Sequence, residues 1–230
     1  MVQSVFRYVK LDLTSKIFMK ITDQQLSENG LELKIQGKLL LIACGALARE
    51  ILAVIKANGW KHIDLQCLPA IYHNKPEKIT PAVRKTINKY QKSYSNIYIA
   101  YADCGTGGDL KRLCDKMGVE MIEGPHCYSF FEGNEVFEMR EEITCFYLTD
   151  FLVRQFDAFF WRPMGMDWHP ELRNMYFGNY TTLVYQAQIK DHALETIAED
   201  CARRMGLDYE YRFTGYGDLA VALDKFAIKA

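Results

Sequence analysis

The sequence predicts an α/β protein: a Rossmann-like, mostly parallel sheet of about five strands, flanked by helices, with a helical carboxyl-terminal half covering the strand ends. Three observations carry this expectation. Apolar runs such as residues 38–44 (KLLLIAC) show no polar alternation, the pattern of strands buried on both faces. Each early run is followed by a segment whose apolar residues recur at helical spacing. Glycine or proline punctuates the joins, so strand and helix alternate as in right-handed βαβ crossovers.

The elements follow in order. Residues 1–37 mix apolar and basic side chains without a clean period, and Asn29-Gly30 marks a turn. They read as a peripheral extension without chemistry, and residues 38–230 as a single α/β domain. The first strand, 38–44, meets Gly45, which opens a helix with Leu47, Ile51, Val54 and Ile55 on one stripe, ended by Gly59. A second run at 63–67 leads into a proline-containing loop and an amphipathic helix over about 80–90. A third strand over 96–104, a turn at 105–108 and a helix over Asp109–Met117 repeat the unit. A fourth strand, 119–123, ends in Gly124-Pro-His-Cys127. Beyond it the pattern predicts an aromatic-rich helix over 138–160, a loop at 162–170, helices over 171–188 and 190–205, a fifth strand at 209–214 and a short terminal helix.

A chain of 230 residues buries about 70% of its unfolded surface and needs no covalent staple. A net charge of −1 supplies no attraction for nucleic acid or an anionic membrane, so neither is expected as a partner. No apolar run reaches the roughly 18 residues of a membrane span, and the first residues lack the pattern of a secretory signal. Seven cysteines, an odd number, imply free thiols and a reducing, cytoplasmic compartment.

Those cysteines divide into two groups. Cys114 and Cys201 lie on apolar helical stripes and Cys145 falls among aromatics, so packing accounts for them. Cys44, Cys67, Cys104 and Cys127 each end a predicted strand. Ligands of open α/β sheets bind outside the carboxyl ends of the strands, and four thiols there exceed what tight turns require. Cys44 and Cys104 also precede helices, whose dipole favours thiolate. The sequence therefore nominates Cys44, Cys104 and Cys127 as metal ligands. Asp103, His126, Asp167 and His169 are catalytic candidates from neighbouring loops, where His73 and Asn74 also fall; His62 and His192 read as surface positions. Gly45, Gly105, Thr106, Gly107, Gly108, Gly215 and Tyr216 are candidates for binding a cofactor, and the turn 105–108 resembles a phosphate or carboxylate cradle, although the lysine of a P-loop is missing. Without C-x-x-C spacing, any metal site must be assembled by the fold. Sharing a ligand between Cys44 and Cys104 requires the first and third strands to be neighbours or nearly so; a flavodoxin-like order, with these two adjacent and the second outermost, is expected.

The strings ACGALAREI (43–51), CLPAIYHNKPEKI (67–79), YADCGTGGDL (101–110), GPHCYSFFEG (124–133), FYLTDFLVRQFDA (146–158), HPELRNMYFGNY (169–180) and TGYGDL (214–219) together resemble the family catalogued as domain of unknown function 1638. The resemblance runs from about Leu39 to the carboxyl end and leaves the extension outside. It implies a setting beside corrinoid-dependent methylamine or betaine methyltransferases, hence methylated-amine or one-carbon metabolism and a corrinoid-protein or methyltransferase partner. The leading expectation is a metal-dependent enzyme acting on a small-molecule substrate. Zinc or another thiophilic metal suits the thiols, with an iron–sulfur cluster or corrinoid as alternatives. Two other readings stand beside it: a cofactor-independent racemase or lyase using paired cysteines, and a non-catalytic accessory protein of a corrinoid methyltransferase. Aromatic residues of the second half, such as Tyr128, Phe130 and Trp168, would suit a methylammonium pocket in the latter.

Overall fold

The computed structural model describes residues 21–35 and 37–229, and the chain divides into two compact units: residues 1–123 with 220–230, and residues 124–219. The first unit opens with α1 (Asp23–Glu28), capped by Thr22, whose side chain accepts the Gln25 amide, and β1 (Leu31–Leu33). Next come β2 (Leu39–Cys44), α2 (Ala48–Asn58), β3 (Ile63–Leu68), α3 (Ile79–Tyr90), β4 (Asn96–Ala100), α4 (Asp109–Met117) and a two-residue β5 (Glu120–Met121). Their sheet has the order β1-β3-β2-β4-β5.

Strand β2 lies at its centre because every one of its residues is apolar and every one is buried. It pairs in parallel with β3 (Leu39 opposite Ile63 through Cys44 opposite Leu68) and with β4 (Leu39 opposite Asn96 through Ala43 opposite Ala100). The first and third predicted strands are therefore neighbours. The second is not outermost, since β1 pairs antiparallel with β3 and makes the sheet mixed. The described part of the extension is thus integral to the unit: β1 extends the sheet, and Leu26 of α1 is completely buried. Residues 1–20 of the expected extension lie outside the described residues.

Helices α2 and α4 form where expected. α2 buries Ile51, Leu52, Val54 and Ile55, and α4 buries Leu110, Leu113 and Cys114. Each ends on a left-handed glycine, Gly59 or Gly118, whose amide returns to carbonyls of the last turn.

The second unit departs from the sequence reading. It contains α5 (Ser129–Glu132), α6 (Asn134–Arg140), β6 (Cys145–Thr149), α7 (Asp150–Arg154), a π-helical turn (Asp157–Trp161), α8 (Leu172–Phe177), β7 (Thr182–Ala187), α9 (His192–Met205) and β8 (Asp208–Phe213). Its three strands form a separate, wholly parallel sheet in the order β6-β7-β8. The expected helix over 138–160 is thus broken by β6, and the expected helix over 171–188 gives way to β7. Both runs, Cys-Phe-Tyr-Leu-Thr and Thr-Leu-Val-Tyr-Gln-Ala, are short and rich in aromatic and β-branched residues, which pack well on a pleated surface. Nor does the strand near 209–214 join the first sheet as a fifth member; β8 pairs with β7. The half expected to be helical is itself α/β. The last helix, α10 (Gly217–Ile228), crosses from one unit to the other in sequence. Among the described residues, no helix is long and apolar enough to cross a membrane.

Candidate functional site

Parallel pairing of β2 with both β3 and β4 brings three thiols to one edge of the first sheet. Cys44 closes β2, Cys67 is the penultimate residue of β3, and Cys104 follows β4 by four residues; all three are buried. They influence one another electrostatically. Burial pushes the Cys44 thiol up to about 12, and nearby Cys104 pushes the same way; hydrogen bonds from the Ala46 amide and the Tyr101 hydroxyl offset only part of this. Cys67 is driven well above the ordinary thiol range by burial, then by Cys44 and Glu50. Cys44 is therefore not the dipole-activated thiolate that its place before a helix suggests. Removing a thiolate from water costs more than a short turn of amides returns, so Cys44 is protonated at neutral pH.

The loop after β4 is shaped by Asp103. Its carboxylate accepts the Thr106 hydroxyl at 2.7 Å, the Gly108 amide at 2.7 Å and the Gly107 amide at 3.1 Å. Burial works to raise the Asp103 carboxyl, but these bonds and one from the Gly105 amide outweigh it and hold it below the ordinary range. The predicted cradle of Gly105, Thr106, Gly107 and Gly108 therefore closes around an anion of its own chain. Within this turn Cys104 adopts a left-handed conformation with φ of +46°. For a residue with a Cβ that conformation carries roughly 1–2 kcal/mol of strain, and the Asp103 bonds hold it. Cys104 lies five residues before α4, too far ahead to act as its cap.

Gly45 is needed for a close approach: a Cβ there would lie 2.3 Å from the Leu26 carbonyl oxygen and 3.0 Å from that of Leu68. At Gly45 the close approach is therefore to the protein's own backbone. His73, on the 3-10 turn Ala70–Asn74, is exposed.

The remaining sequence candidates belong to the second unit. His126 is half-buried and stacks on Tyr128 at 4.8 Å between ring centroids, and Tyr128 stacks in turn on Tyr147 at 5.3 Å. Cys127 beside it is half-buried. Asp167 and His169 are exposed, with His169 Nδ1 3.0 Å from Glu171 Oε1. Gly215 and Tyr216 follow β8, where the amides of Thr214 and Gly215 donate to the Ala187 carbonyl. Of the four strand-end cysteines, the first unit brings together Cys44, Cys67 and Cys104; Cys127 belongs to the other unit. Among the described residues, no group of three or more His, Cys, Asp or Glu side chains is placed to hold a metal ion.

Sequence reasoning missed the polar interior of the second unit. Arg212 on β8 donates to Glu132 at 2.7 Å, to Glu142 at 3.1 Å and to Glu210 at 2.5 Å; Tyr147 also bonds Glu142, and Gln186 donates to Glu132 at 3.0 Å. Burial alone would lower the Arg212 basicity, but the three carboxylates raise it well beyond its usual value. Behind β6, the buried Asp150 carboxylate accepts the Tyr185 hydroxyl at 2.7 Å and the amides of Gln188 and Ile189 at 3.1 and 3.2 Å. Burial nevertheless dominates and raises its carboxyl above the ordinary range. One signal was available in the sequence: Glu210-Tyr-Arg212 places both charges on the same face of a strand by its period of two.

A family model described as "Protein of unknown function (DUF1638)" matches residues 67–223. No curated protein and no solved structure matches the chain.

Proposed function

The chain belongs to the DUF1638 family of proteins of unknown function, and from that premise we propose that it is a metal-thiolate enzyme acting on a small molecule at the carboxyl edge of its five-stranded sheet. The observation that carries the proposal is that Cys44 ends β2 and Cys104, four residues beyond the neighbouring parallel strand β4, interacts with it electrostatically, with Cys67 on β3. We read the order β3-β2-β4-β5 as Rossmann-like, which makes this edge the expected place for a ligand. Thiols are the donors that a soft cation prefers. Buried thiols with Cys44 near 12 give up protons only to a centre that binds sulfur strongly, such as zinc or another thiophilic metal.

Such an ion would supply a Lewis acid able to activate a bound thiol or water. The protein's part is to hold two sulfurs at a fixed spacing, exclude solvent from them and leave other coordination positions to the substrate. Cys44 and Cys104 are the ligands in this reading. Asp103 is a positioning residue, since it holds the strained turn that carries Cys104. The same high Cys44 value ranks paired-cysteine proton transfer lower, because that chemistry needs a free thiolate near neutrality. The family resemblance directs the substrate toward methylated amines or one-carbon compounds, and free thiols suit a reducing cytoplasm.

The test is metal content of untagged protein purified without oxygen, measured beside Cys44→Ser and Cys104→Ser. About one equivalent in the wild type, lost from both variants, is expected. A metal-free wild type overturns the proposal.

A further inference from the structure

A second site, independent of the thiols, lies wholly within the second unit. Helix α9 presents Ile197, Asp200, Cys201 and Arg204 at spacings of i, i+3, i+4 and i+7, one face of a helix. This face borders a cavity of about 230 Å³ whose opposite wall is formed by α7 and the π-helical turn, including Arg154, Asp157 and Arg162.

The π turn matters to the geometry. The Arg162 amide donates to the Asp157 carbonyl at 2.9 Å, a bond spanning five residues instead of four. Such a turn inserts one residue and rotates the next stretch of chain by roughly 100° about the axis, and Arg162 lies directly after it, on the cavity wall.

The charges do not cancel. Asp157 is engaged by Arg204 at 2.6 Å, and Asp200 is paired with Arg203. Arg154 faces the buried Asp150, whose carboxyl it helps to stabilise. Arg162, exposed and lining the cavity, makes no ion pair or side-chain hydrogen bond among the described residues. Arg204 is fixed in plane by the rings of Trp161 and Phe156, at 4.5 and 5.2 Å from its guanidinium carbon. Two guanidiniums, one pre-positioned and one unengaged, suit the fork geometry by which arginine binds oxyanions. The volume falls below the roughly 300–1,000 Å³ of sites for drug-sized ligands.

We propose that this cavity binds a small organic anion through Arg162 and Arg204, with a carboxylate or phosphate as the recognised group. Calorimetric titration of the full chain with succinate and with inorganic phosphate, against chloride at matched ionic strength, tests this and separates the two head groups. Saturable one-to-one binding of at least one of them is expected. Arg162→Gln, at an exposed position, should weaken it by about tenfold or more, with an unchanged unfolding midpoint in the absence of anion. Absence of binding beyond the chloride control overturns the proposal, as does an Arg162→Gln protein whose affinity falls by less than that factor.

Discussion

The two units build their sheets, one mixed and one wholly parallel, from different materials. In the first, the central strand β2 is apolar and buried throughout, and the buried carboxylates, Glu50 on α2 and Asp64 on β3, lie on its neighbours. In the second, charge enters the packed structure: Glu132 is 4% and Arg212 12% exposed, and Asp150 and Gln186 are buried at the strand ends. An apolar strand is stable wherever a hydrophobic face meets it. A charged interior is stable in only one arrangement, because each displaced partner leaves a desolvated ion behind. The centre of the first sheet therefore depends on area buried, the Arg212 cluster of the second unit on pairing.

Arg212 is where this contrast breaks most readily. Arg212→Met should destabilise the protein by about 4 kcal/mol, since it strands Glu132 and Glu142. Pairing Arg212→Met with Glu132→Gln should recover part of the loss. A urea midpoint equal to that of the wild type would show that the network contributes nothing. Next comes Leu41→Ala in β2, expected to cost about 3 kcal/mol through lost transfer energy and the cavity left behind. Here no second substitution of a polar neighbour should compensate, and rescue by one would contradict the contrast.

The smallest effects concern two aspartates with opposite responses to acid. The lowered Asp103 carboxyl contributes stability above the ordinary aspartate value of about 3.9, which is lost as pH falls through its lower folded value. Asp150 is raised by burial, so its contribution is fully present below that ordinary value and is lost as pH rises through the folded one. Asp103→Asn should lower stability by about 1 kcal/mol at neutral pH, after allowance for solvent screening. Unfolding midpoints followed across the acid range should show Asp103→Asn and Asp150→Asn changing the pH slope in opposite directions. A shared direction would place one of the two shifts wrongly.

How far the sequence could be read follows the same division. Leu39–Cys44 announces itself as an unbroken apolar run, and Ile63–Leu68 and Asn96–Ala100 as short apolar-rich segments ended by turn residues; the adjacency of β2 and β4 is that of a flavodoxin-like order. In the second unit, Cys145–Thr149 and Thr182–Ala187 stand among aromatics that also satisfy a helical period, and periodicity cannot separate a short strand from a buried helix. The grouping of Cys44, Cys67 and Cys104 was legible because strand ends share an edge. The strand read at 119–123 is shorter, since β5 covers Glu120–Met121, and Cys127 lies in the unit that begins at Gly124. Acidity was not legible, because it depends on how much water each thiol loses. Nor was the placement of Arg162, which depends on one wide turn.

The terminal strands of the larger sheet have a consequence in crowded solution. Among the described residues, that sheet finishes in a three-residue strand on one side and a two-residue strand on the other, with Glu32 outward on the first and Glu120 outward on the second. Stubs this short, each carrying a glutamate paired with a lysine (Glu32 with Lys34, Glu120 with Lys229), present few unsatisfied amides for a neighbouring molecule to zip onto. Fibril growth by edge-to-edge stacking has little template there.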